Sequence, residues 1–569
     1  MRNNYLTGQF DLPPRLNVSW LDISNNNFTG QLQENISRRL PYISYLNLST
    51  NSFHGILPSS FCNMSDLEKL DLSDNMFSGE VPKELISGCI NLSVLKLSSN
   101  KFHGQILSTN FNLTDLSELL LDDNQFSGIL SNTISKSPHL VVLDISNNYF
   151  SGMISSWISN MTDLDAVIMR NNSFKGRLPC ELAVDAILDV SHNCLSGSLP
   201  SCSYPTHHIY LQANKFTGPI PNAFVNSSSM RTLDISDNSL SGNIPNGISA
   251  LFHLRVLLLR GNHLSGLIPN QLCKLNKISL LDLSNNYFSG SIPHCISNFS
   301  FGPNDHGFFQ LGHHLSGMKR RLNTPTYGSF LVRTFSLGEY DVFDTPVLAE
   351  ADFVTKRSHR SYKGDILNYM SGLDLSCNNL TGEIPRELGE LVEIRALNLS
   401  HNQLKGSIPK TFSSLTQIES LDLSYNNLSG VIPIELIDLN FLAVFSVAHN
   451  NLSGKTLDMK AQFLTFNGSS YEGNPYLCGP QLEKNCTTIV QSPNRPTTIS
   501  EDSEAKWYEI DPGAFYVTFS VSYIMFLLAL ASVLAINPYW RRRWFNFTEE
   551  RMYSSYYFVF DALYKLLVH

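Results

Sequence analysis

The chain has 569 residues, of which 16% are charged and 42% are hydrophobic, and its formal net charge is −9. This acidic balance disfavours a nucleic-acid partner, because such a protein needs a basic stripe against the phosphates. Ten cysteines are too few for a small disulfide-rich scaffold, but their even number is typical of an oxidising compartment.

The N-terminal residues match the second half of a repeat that fills most of the chain. Asn4, Leu6 and Gly8 stand where the repeat places asparagine, leucine and glycine, and the segment MRNNYLTGQFDLPPR lacks the apolar stretch of a signal peptide. We therefore expect the chain to begin in the middle of a coil, without its signal peptide and N-terminal cap.

The repeat L-x-L-x-x-N-x-[LF]-x-G recurs through residues 1–299 and again through residues 371–454. Its alternating leucines point inward from a short strand, and its asparagine can bond the backbone of adjacent coils. No coil buries its leucines alone, so stacking predicts an α/β-type solenoid with a parallel sheet on the concave face. The template asparagines are Asn26, Asn51, Asn75, Asn100, Asn124, Asn148, Asn172, Asn193, Asn214, Asn238, Asn262, Asn286, Asn378, Asn402, Asn426 and Asn450.

The outward positions of the strands between Lys96 and Arg260 form the candidate ligand-binding face. Most coils place Asp and Ser there, as in Asp71/Ser73, and a surface that repeats discriminates poorly. Coils that break this rule supply bulky and charged anchors typical of interface hot spots; neutral sequence drift is the competing interpretation. The predicted ligand-binding residues are Lys96, Leu120, Asp122, Ile168, Arg170, Tyr210, Gln212, Leu258 and Arg260.

Residues 300–370 interrupt the array without the leucine template. Their many aromatic residues, among them Phe308, Tyr327 and Phe353, are atypical of disorder, so we expect an ordered module that buries these rings against the last coils or a partner. Near the resumed repeat this insertion should present a partly exposed basic edge, formed by Lys356, Arg357, Arg360, Tyr362, Lys363 and Gly364.

After the last coil come residues 455–490 with Cys478 and Cys486, an acidic segment 491–512, an apolar segment 513–536 and a tail 537–569. The uncharged run 514–536 would form a helix of roughly 35 Å, long enough to cross the lipid bilayer. Arginines follow it at 541–543, so the positive-inside rule predicts a single-pass protein with a cytoplasmic C-terminus. Small residues favour helix pairing in lipid, which makes Ala531 and Ala535 the candidate contacts.

The order of these segments resembles the plant leucine-rich-repeat receptor-like proteins. The resemblance rests on the I-P that follows the template glycine in many coils (GPIP at Gly218), on the insertion four coils before the end of the array, and on its closing F-x-x-K … Y-K-G segment. It implies a plasma-membrane receptor that binds a microbial pattern or endogenous peptide, with plant defence as the favoured setting. It also implies an insertion that helps to bind ligand or co-receptor, and signalling through an adaptor receptor-like kinase and a co-receptor kinase.

Three other functions stay open: an apoplastic inhibitor of a wall-degrading enzyme, a developmental peptide receptor, and a non-functional truncated product. The membrane segment and insertion disfavour the inhibitor, whereas the start in mid-coil favours a truncated product. The sequence carries no HExxH, Gly-x-Ser-x-Gly, phosphate-loop or kinase signature, so we expect neither an enzyme nor a cofactor or metal site.

Covalent features are expected at cysteines and at glycosylation sequons. Cys478 and Cys486 lie in a segment that resembles the family's C-terminal cap, and we expect them to form a disulfide. The pairs Cys180/Cys202 and Cys273/Cys295 share one spacing, which fits either a bridge between coils or buried thiols. The favoured glycosylation sites of the ectodomain are Asn17, Asn63, Asn112, Asn160, Asn226 and Asn298.

Overall fold

The computed structural model describes residues 1–107, 110–180, 182, 184–301, 350–356 and 358–486. Most of the insertion, the acidic segment 491–512, the predicted membrane helix 513–536 and the tail 537–569 lie outside this range, and so do Arg357, Ala531 and Ala535. The solenoid and its parallel sheets are confirmed. No helix in the described part of the chain is both long and apolar enough to cross a membrane.

The L-x-L segments form one sixteen-stranded parallel sheet, here the long sheet, which is the sheet predicted for the concave face. The central residue of each strand, in most strands a leucine, faces the core, as Leu143 does with no exposed surface. Its strands are Trp20–Asp22, Tyr45–Asn47, Lys69–Asp71, Val94–Lys96, Glu118–Leu120, Val142–Asp144, Ala166–Ile168, Ile187–Asp189, His208–Tyr210, Thr232–Asp234, Val256–Leu258, Leu280–Asp282, Gly372–Asp374, Ala396–Asn398, Ser420–Asp422 and Val444–Ser446.

The x-[LF]-x-G segments form the side sheets, one of fourteen and one of four strands. Their buried phenylalanines stack from coil to coil, with ring centroids of Phe77 and Phe102 6.1 Å apart. The strands are Thr7–Gln9, Asn27–Gly30, Ser52–Gly55, Met76–Glu80, Lys101–Gly104, Gln125–Ile129, Tyr149–Met153, Ser173–Gly176, Cys194–Ser198, Lys215–Gly218, Ser239–Gly242, His263–Leu267, Tyr287–Gly290 and Asn379–Leu380, then Lys405–Gly406, Asn427–Gly430, Asn451–Lys455 and Tyr476–Cys478.

Short helices complete the coils, and several begin directly after the proline of the I-P motif, as after Pro245. Proline fixes the extended backbone that precedes such a turn. Among the residues that the structure describes, two are α-helical, Ile36–Arg39 and Lys83–Gly88. The 3₁₀ turns of the same part of the chain are Ser59–Asn63, Asn132–Lys136, Ser156–Asn160, Asn246–Ala250, Asn270–Lys274, His294–Asn298, Gly364–Asn368, Arg386–Glu390, Lys410–Ser414, Ile434–Asp438, Ala461–Thr465, Gly468–Ser470 and Pro480–Leu482.

The template asparagines bond the backbone of neighbouring coils. Asn148 donates from Nδ2 to the carbonyl of Leu121 in the preceding coil, at 2.9 Å, and to that of Ser146 in its own coil, at 2.8 Å. Its Oδ1 accepts from the amide of Phe126 at 2.9 Å. One amide thus satisfies three backbone groups that would otherwise be buried without partners.

The described end of the insertion is an antiparallel hairpin, here called the strap, with strands Glu350–Thr355 and Ser358–Lys363. After the turn Gly364–Asn368, the chain re-enters the long sheet at Gly372, which pairs directly with Leu280. The long sheet is therefore continuous across the insertion, and the two strands of the strap form a separate sheet.

Candidate functional site

Each strand of the long sheet presents its first and third side chains outward, because successive residues alternate between faces. Half of the third positions in the long sheet hold an aspartate that bonds the serine two residues later. Asp234 Oδ1, for example, accepts from Ser236 N at 3.0 Å and from Ser236 Oγ at 2.6 Å. Asparagine makes the same arrangement at Asn398, whose Oδ1 accepts from Ser400 N at 3.1 Å and Oγ at 2.8 Å.

Several of these carboxyl groups are buried, which disfavours their charged form. Burial raises the pKa of Asp234 to about 7, although its bonds to Ser236 and the nearby Arg260 work in the opposite direction. Burial and the neighbouring carboxylate of Asp282 likewise raise the pKa of Asp374 to about 7. Asp282 is 1% exposed, and its Oδ2 has no hydrogen-bond donor among the described residues. The carboxyl groups in this part of the sheet therefore ionise at a higher pH than exposed aspartates do.

Five of the nine predicted ligand-binding residues are buried on the outer side of the long sheet. They are Lys96, Leu120, Ile168, Tyr210 and Leu258, with exposed fractions of 2, 8, 8, 5 and 1%. Neighbouring groups therefore cover most of the surface of these five side chains. Their role in ligand binding stays a prediction.

The other predicted residues of this face are half-buried, and three of them have partners within the chain. Arg170 Nη1 lies 2.9 Å from Glu350 Oε2 in the strap, and Arg260 Nη2 lies 2.7 Å from Asp237 Oδ2. Asp122 accepts from Ser98 Oγ, whereas the buried Oε1 of Gln212 has no donor in the described part of the chain. The structure thus gives Arg170 a role within the chain, as an anchor of the strap.

Glu350 fastens one end of the strap to the long sheet. Its carboxylate bonds Arg170 and Lys363, each at 2.9 Å, and its backbone amide donates to Tyr210 Oη at 2.9 Å. Burial alone would raise the pKa of Glu350, but bonds from Ser361 and Lys363 and the charge of Arg170 hold it below its ordinary value. The carboxylate therefore stays charged and bonded at neutral and mildly acidic pH.

Glu419 fastens the other end. It lies 2.6 Å from Lys356 Nζ, at the turn of the strap, and 2.6 Å from Arg395 Nη1. Burial opposes its ionisation, but these two cations hold the pKa of Glu419 below its ordinary value. The strap is thus tied at two points, one beside the strand Ala166–Ile168 and one beside the strand Ser420–Asp422.

Between these ties the strap packs on apolar side chains of the long sheet. Ala351 and Phe353, 2 and 1% exposed, form one cluster with an outward column of the sheet. Gly372 lies in the same column, and a Cβ on it would come within 2.5 Å of Phe353 Cε1. Outward apolar residues are otherwise unusual on a solvated sheet face, and here they have a cover. The column consists of Val256, Leu280, Gly372 and Ala396, paired in register on four neighbouring strands.

The structure places the predicted basic edge in the strap and directly after it. Lys356 and Lys363 bond Glu419 and Glu350, Arg360 is exposed, and Tyr362 Oη lies 2.6 Å from Thr355 Oγ1. Gly364 is buried where the following turn begins. Lys356 therefore ties the strap to the long sheet, Lys363 closes the strap on itself, and both lysines remain exposed, as Arg360 does.

Sequence reasoning missed Glu350, Glu419 and Gly372. Their partners lie far away in the chain, as the 180 residues between Arg170 and Glu350 illustrate, so no local pattern connects them. One signal was present: four neighbouring coils place Val, Leu, Gly and Ala, rather than polar residues, at the first outward position. Such an apolar column predicts a cover.

Three disulfides join Cys180 to Cys202, Cys273 to Cys295 and Cys478 to Cys486. The first two link neighbouring coils and the third closes the last described segment.

Among the described residues, no group of three His, Cys, Asp or Glu side chains could hold a metal ion.

The favoured glycosylation asparagines lie on loops and at the ends of short helices. Asn63, Asn160 and Asn298 each end a 3₁₀ turn. Asn17, Asn63, Asn160, Asn226 and Asn298 are exposed, and Asn112 is half-buried. Five of the six positions are thus accessible, and their glycosylation stays a prediction.

Two family models match this chain, both of leucine-rich repeats. One matches residues 17–77 and 206–264, and the other matches residues 139–161, 277–299, 370–391, 393–415 and 417–439. Cuscuta receptor 1 of Solanum lycopersicum is 61% identical over 223 residues, which are 39% of this chain and 20% of the relative. Receptor-like protein 1 of Arabidopsis thaliana is 60% identical over 199 residues, 34% of this chain and 18% of the relative. The chain thus spans about a fifth of the length of these relatives.

Solved plant receptor structures share the fold. A TDR receptor matches with a TM-score of 0.62 and 26% identity, over 81% of this chain and 67% of its own. The ectodomain of the Arabidopsis thaliana receptor kinase GASSHO1/SCHENGEN3, solved in complex with CASPARIAN STRIP INTEGRITY FACTOR 2, matches with a TM-score of 0.59 and 25% identity, over 86% and 56%.

Proposed function

Because this chain is a leucine-rich-repeat protein whose curated relatives are plant receptor-like proteins, we propose that it serves as a cell-surface receptor. It binds an extracellular peptide or protein on the outer face of the long sheet and has no enzymatic activity. The observation that carries this proposal is the strap, an ordered segment of the insertion that lies on this face and departs from the repeat.

The ligand we propose is a peptide with basic residues. The outer face carries aspartates at half of its third strand positions, whereas the cations Lys96, Arg170 and Arg260 already pair with Glu118, Glu350 and Asp237. A ligand that brings Lys or Arg adds positive charge beside the buried carboxyl groups and favours their ionised form. The receptor kinase ectodomain solved with CASPARIAN STRIP INTEGRITY FACTOR 2 supports the use of this fold for ligand binding.

Signalling, in this proposal, passes to a separate kinase. Residues 513–536 span the plasma membrane once, with the C-terminus in the cytoplasm. An adaptor receptor-like kinase pairs with the span at Ala531 and Ala535, and a co-receptor kinase joins when ligand binds. Plant defence is the proposed setting, and peptide signalling in development is the competing one.

The test is purification of the tagged full-length chain from plant membranes, followed by identification of bound receptor kinases. We expect the Ala531→Leu, Ala535→Leu double variant to lose the kinase, because larger side chains keep the two helix backbones apart. Ala529→Leu changes the same residue type about 200° around the helix from Ala531 and should retain it. Retention of the kinase after exchange of residues 513–536 for an unrelated span would refute pairing through this segment. Absence of any receptor kinase from the wild-type preparation would count against the receptor function.

A further inference from the structure

The strap packs on the long sheet, but its strands do not pair with the strands of that sheet. Its two strands pair with each other from Glu350↔Lys363 to Thr355↔Ser358 and form a sheet of their own. The strap's ties to the long sheet are side-chain ion pairs and one bond from a backbone amide to Tyr210. A segment held in this way can leave its place without breaking the sheet beneath it.

The surface under the strap has the properties of a peptide-binding groove. We call it the strap groove and define it by Val256, Leu258, Leu280, Gly372 and Ala396. Its floor is apolar, a cation (Arg170) stands at one end, and an anion (Glu419) stands at the other. Gly372 leaves the space into which the ring of Phe353 fits. Alternate side chains of an extended segment reach such a floor, and charges at the two ends fix its direction.

The first strand of the strap defines the chemistry that this groove accepts. Ala351, Phe353 and Thr355 alternate and are buried, between Glu350 and Lys356 at the two ends. The order is thus an acidic residue, a small apolar residue, an aromatic residue two places later and a basic residue at the end. Each of these side chains has its counterpart in the groove or beside it.

We propose that the strap is a built-in, exchangeable occupant of the strap groove, and that an extended peptide of the same pattern binds there when the strap is released. This inference rests on the proposed function, because it names one site and one ligand pattern on the face assigned to ligand binding. A ligand that reaches the groove then competes with the strap for the same surface. The free energy of docking the strap therefore sets the affinity that a ligand needs in order to displace it.

The experiment uses the full-length chain in detergent micelles and, as the probe, a fluorescent synthetic peptide with the sequence of residues Glu350–Lys363. In the strap-released variant, Glu350→Ala with Phe353→Ser, the groove is unchanged but its occupant is weakened. We expect this variant to bind the probe at least about tenfold more tightly than wild type, whose groove is filled. Faster tryptic cleavage within residues 350–363 verifies the release.

Two matched controls assign the binding to the groove. Gly372→Leu, added to the strap-released variant, fills the space of the Phe353 ring and should abolish binding of the probe. A probe in which Phe353 is replaced by serine should also fail to bind. Equal affinity of wild type and released variant, binding that survives Gly372→Leu, or a strap that stays protected from trypsin after both substitutions would each overturn the proposal. None of these measurements depends on a kinase partner, so their failure is distinct from failure of the proposed function.

Discussion

At the scale of single residues, the aspartate–serine pair of the long sheet gains local hydrogen bonds but buries a carboxyl group, which is unfavourable when that group is charged. Ser236 donates two hydrogen bonds to Asp234, yet burial still raises the pKa of this carboxyl from 3.8 to about 7. The folded state therefore favours the protonated form. The contribution of Asp234 to stability is complete below pH 4 and is lost as the pH rises from about 4 through about 7.

The variant Asp234→Asn should therefore stabilise the protein at neutral pH. Asparagine keeps the acceptor for Ser236, as Asn398 does for Ser400, and carries no charge to bury. We expect the free energy of unfolding to rise by about 1 to 3 kcal/mol at pH 7.5 and to change little at pH 4. Urea unfolding at the two pH values measures this difference.

The reverse substitution, Asn398→Asp, at the equivalent position of another strand is the control. It introduces a half-buried carboxyl beside Asp374, whose Oδ2 accepts from Asn398 Nδ2 at 3.0 Å in the wild type. We expect it to lower the free energy of unfolding at pH 7.5 and to have little effect at pH 4. A gain from Asp234→Asn that is equal at both pH values would show that packing, not charge, is responsible.

At the scale of elements, the strap depends on the contact between the Phe353 ring and Gly372, which a single added methyl group at Gly372 would prevent. The expected Cβ of Gly372→Ala lies 2.5 Å from Cε1 and 2.6 Å from Cζ of Phe353, which no real Cβ tolerates. The backbone of Gly372 lies in a regular strand, so the substitution acts on packing and not on chain conformation. Phe353 must move, and the strap must lift with it.

We therefore expect Gly372→Ala to expose the strap to trypsin, which cuts after Lys356, Arg357, Arg360 and Lys363. Cleavage within residues 352–364 should be slow in wild type and faster by about tenfold or more in the variant, because cleavage follows the population of the open form. Phe353→Leu, which removes the outer part of the ring, should restore protection when combined with Gly372→Ala. Rapid cleavage of wild type here would contradict an ordered strap.

At the scale of the whole molecule, the described solenoid has one continuous core, and each coil packs mainly on its two neighbours. The main hydrophobic cluster extends from Leu12 to Leu477, and the long sheet pairs consecutive coils throughout the described solenoid. Stability in such an array is a sum over coils and the interfaces between them. Damage to one coil should therefore stay local.

The variant Phe150→Ala tests this locality. Phe150 is fully buried and stacks on Phe126 with ring centroids 6.4 Å apart, so its loss should cost about 3 to 5 kcal/mol. We expect faster amide hydrogen exchange in the coils that contain Phe126 and Phe174, and unchanged exchange around Phe412. Phe412→Ala, also at a fully buried site, should give the reverse pattern. Uniformly faster exchange in both variants would indicate a single cooperative unit.

The sequence by itself determined the coil, because each coil's bonds go to its neighbours, which carry the same pattern. Asn148 could be assigned a structural role from its place in the template, and its contacts to Leu121 and Phe126 follow from stacking alone. The alternation L-x-L likewise determined which side of the long sheet is buried.

Only the tertiary structure decided what covers the outer face. The partners of the strap, Arg170 and Glu419, lie in coils far apart, and ion pairs between such positions leave no spacing to recognise. For the same reason Tyr210 and Leu258, predicted from their coils as ligand contacts, are buried side chains near or beneath the strap. Burial, the raised pKa of Asp234 and the fit of Phe353 over Gly372 arise from contacts between distant segments, which no local pattern encodes.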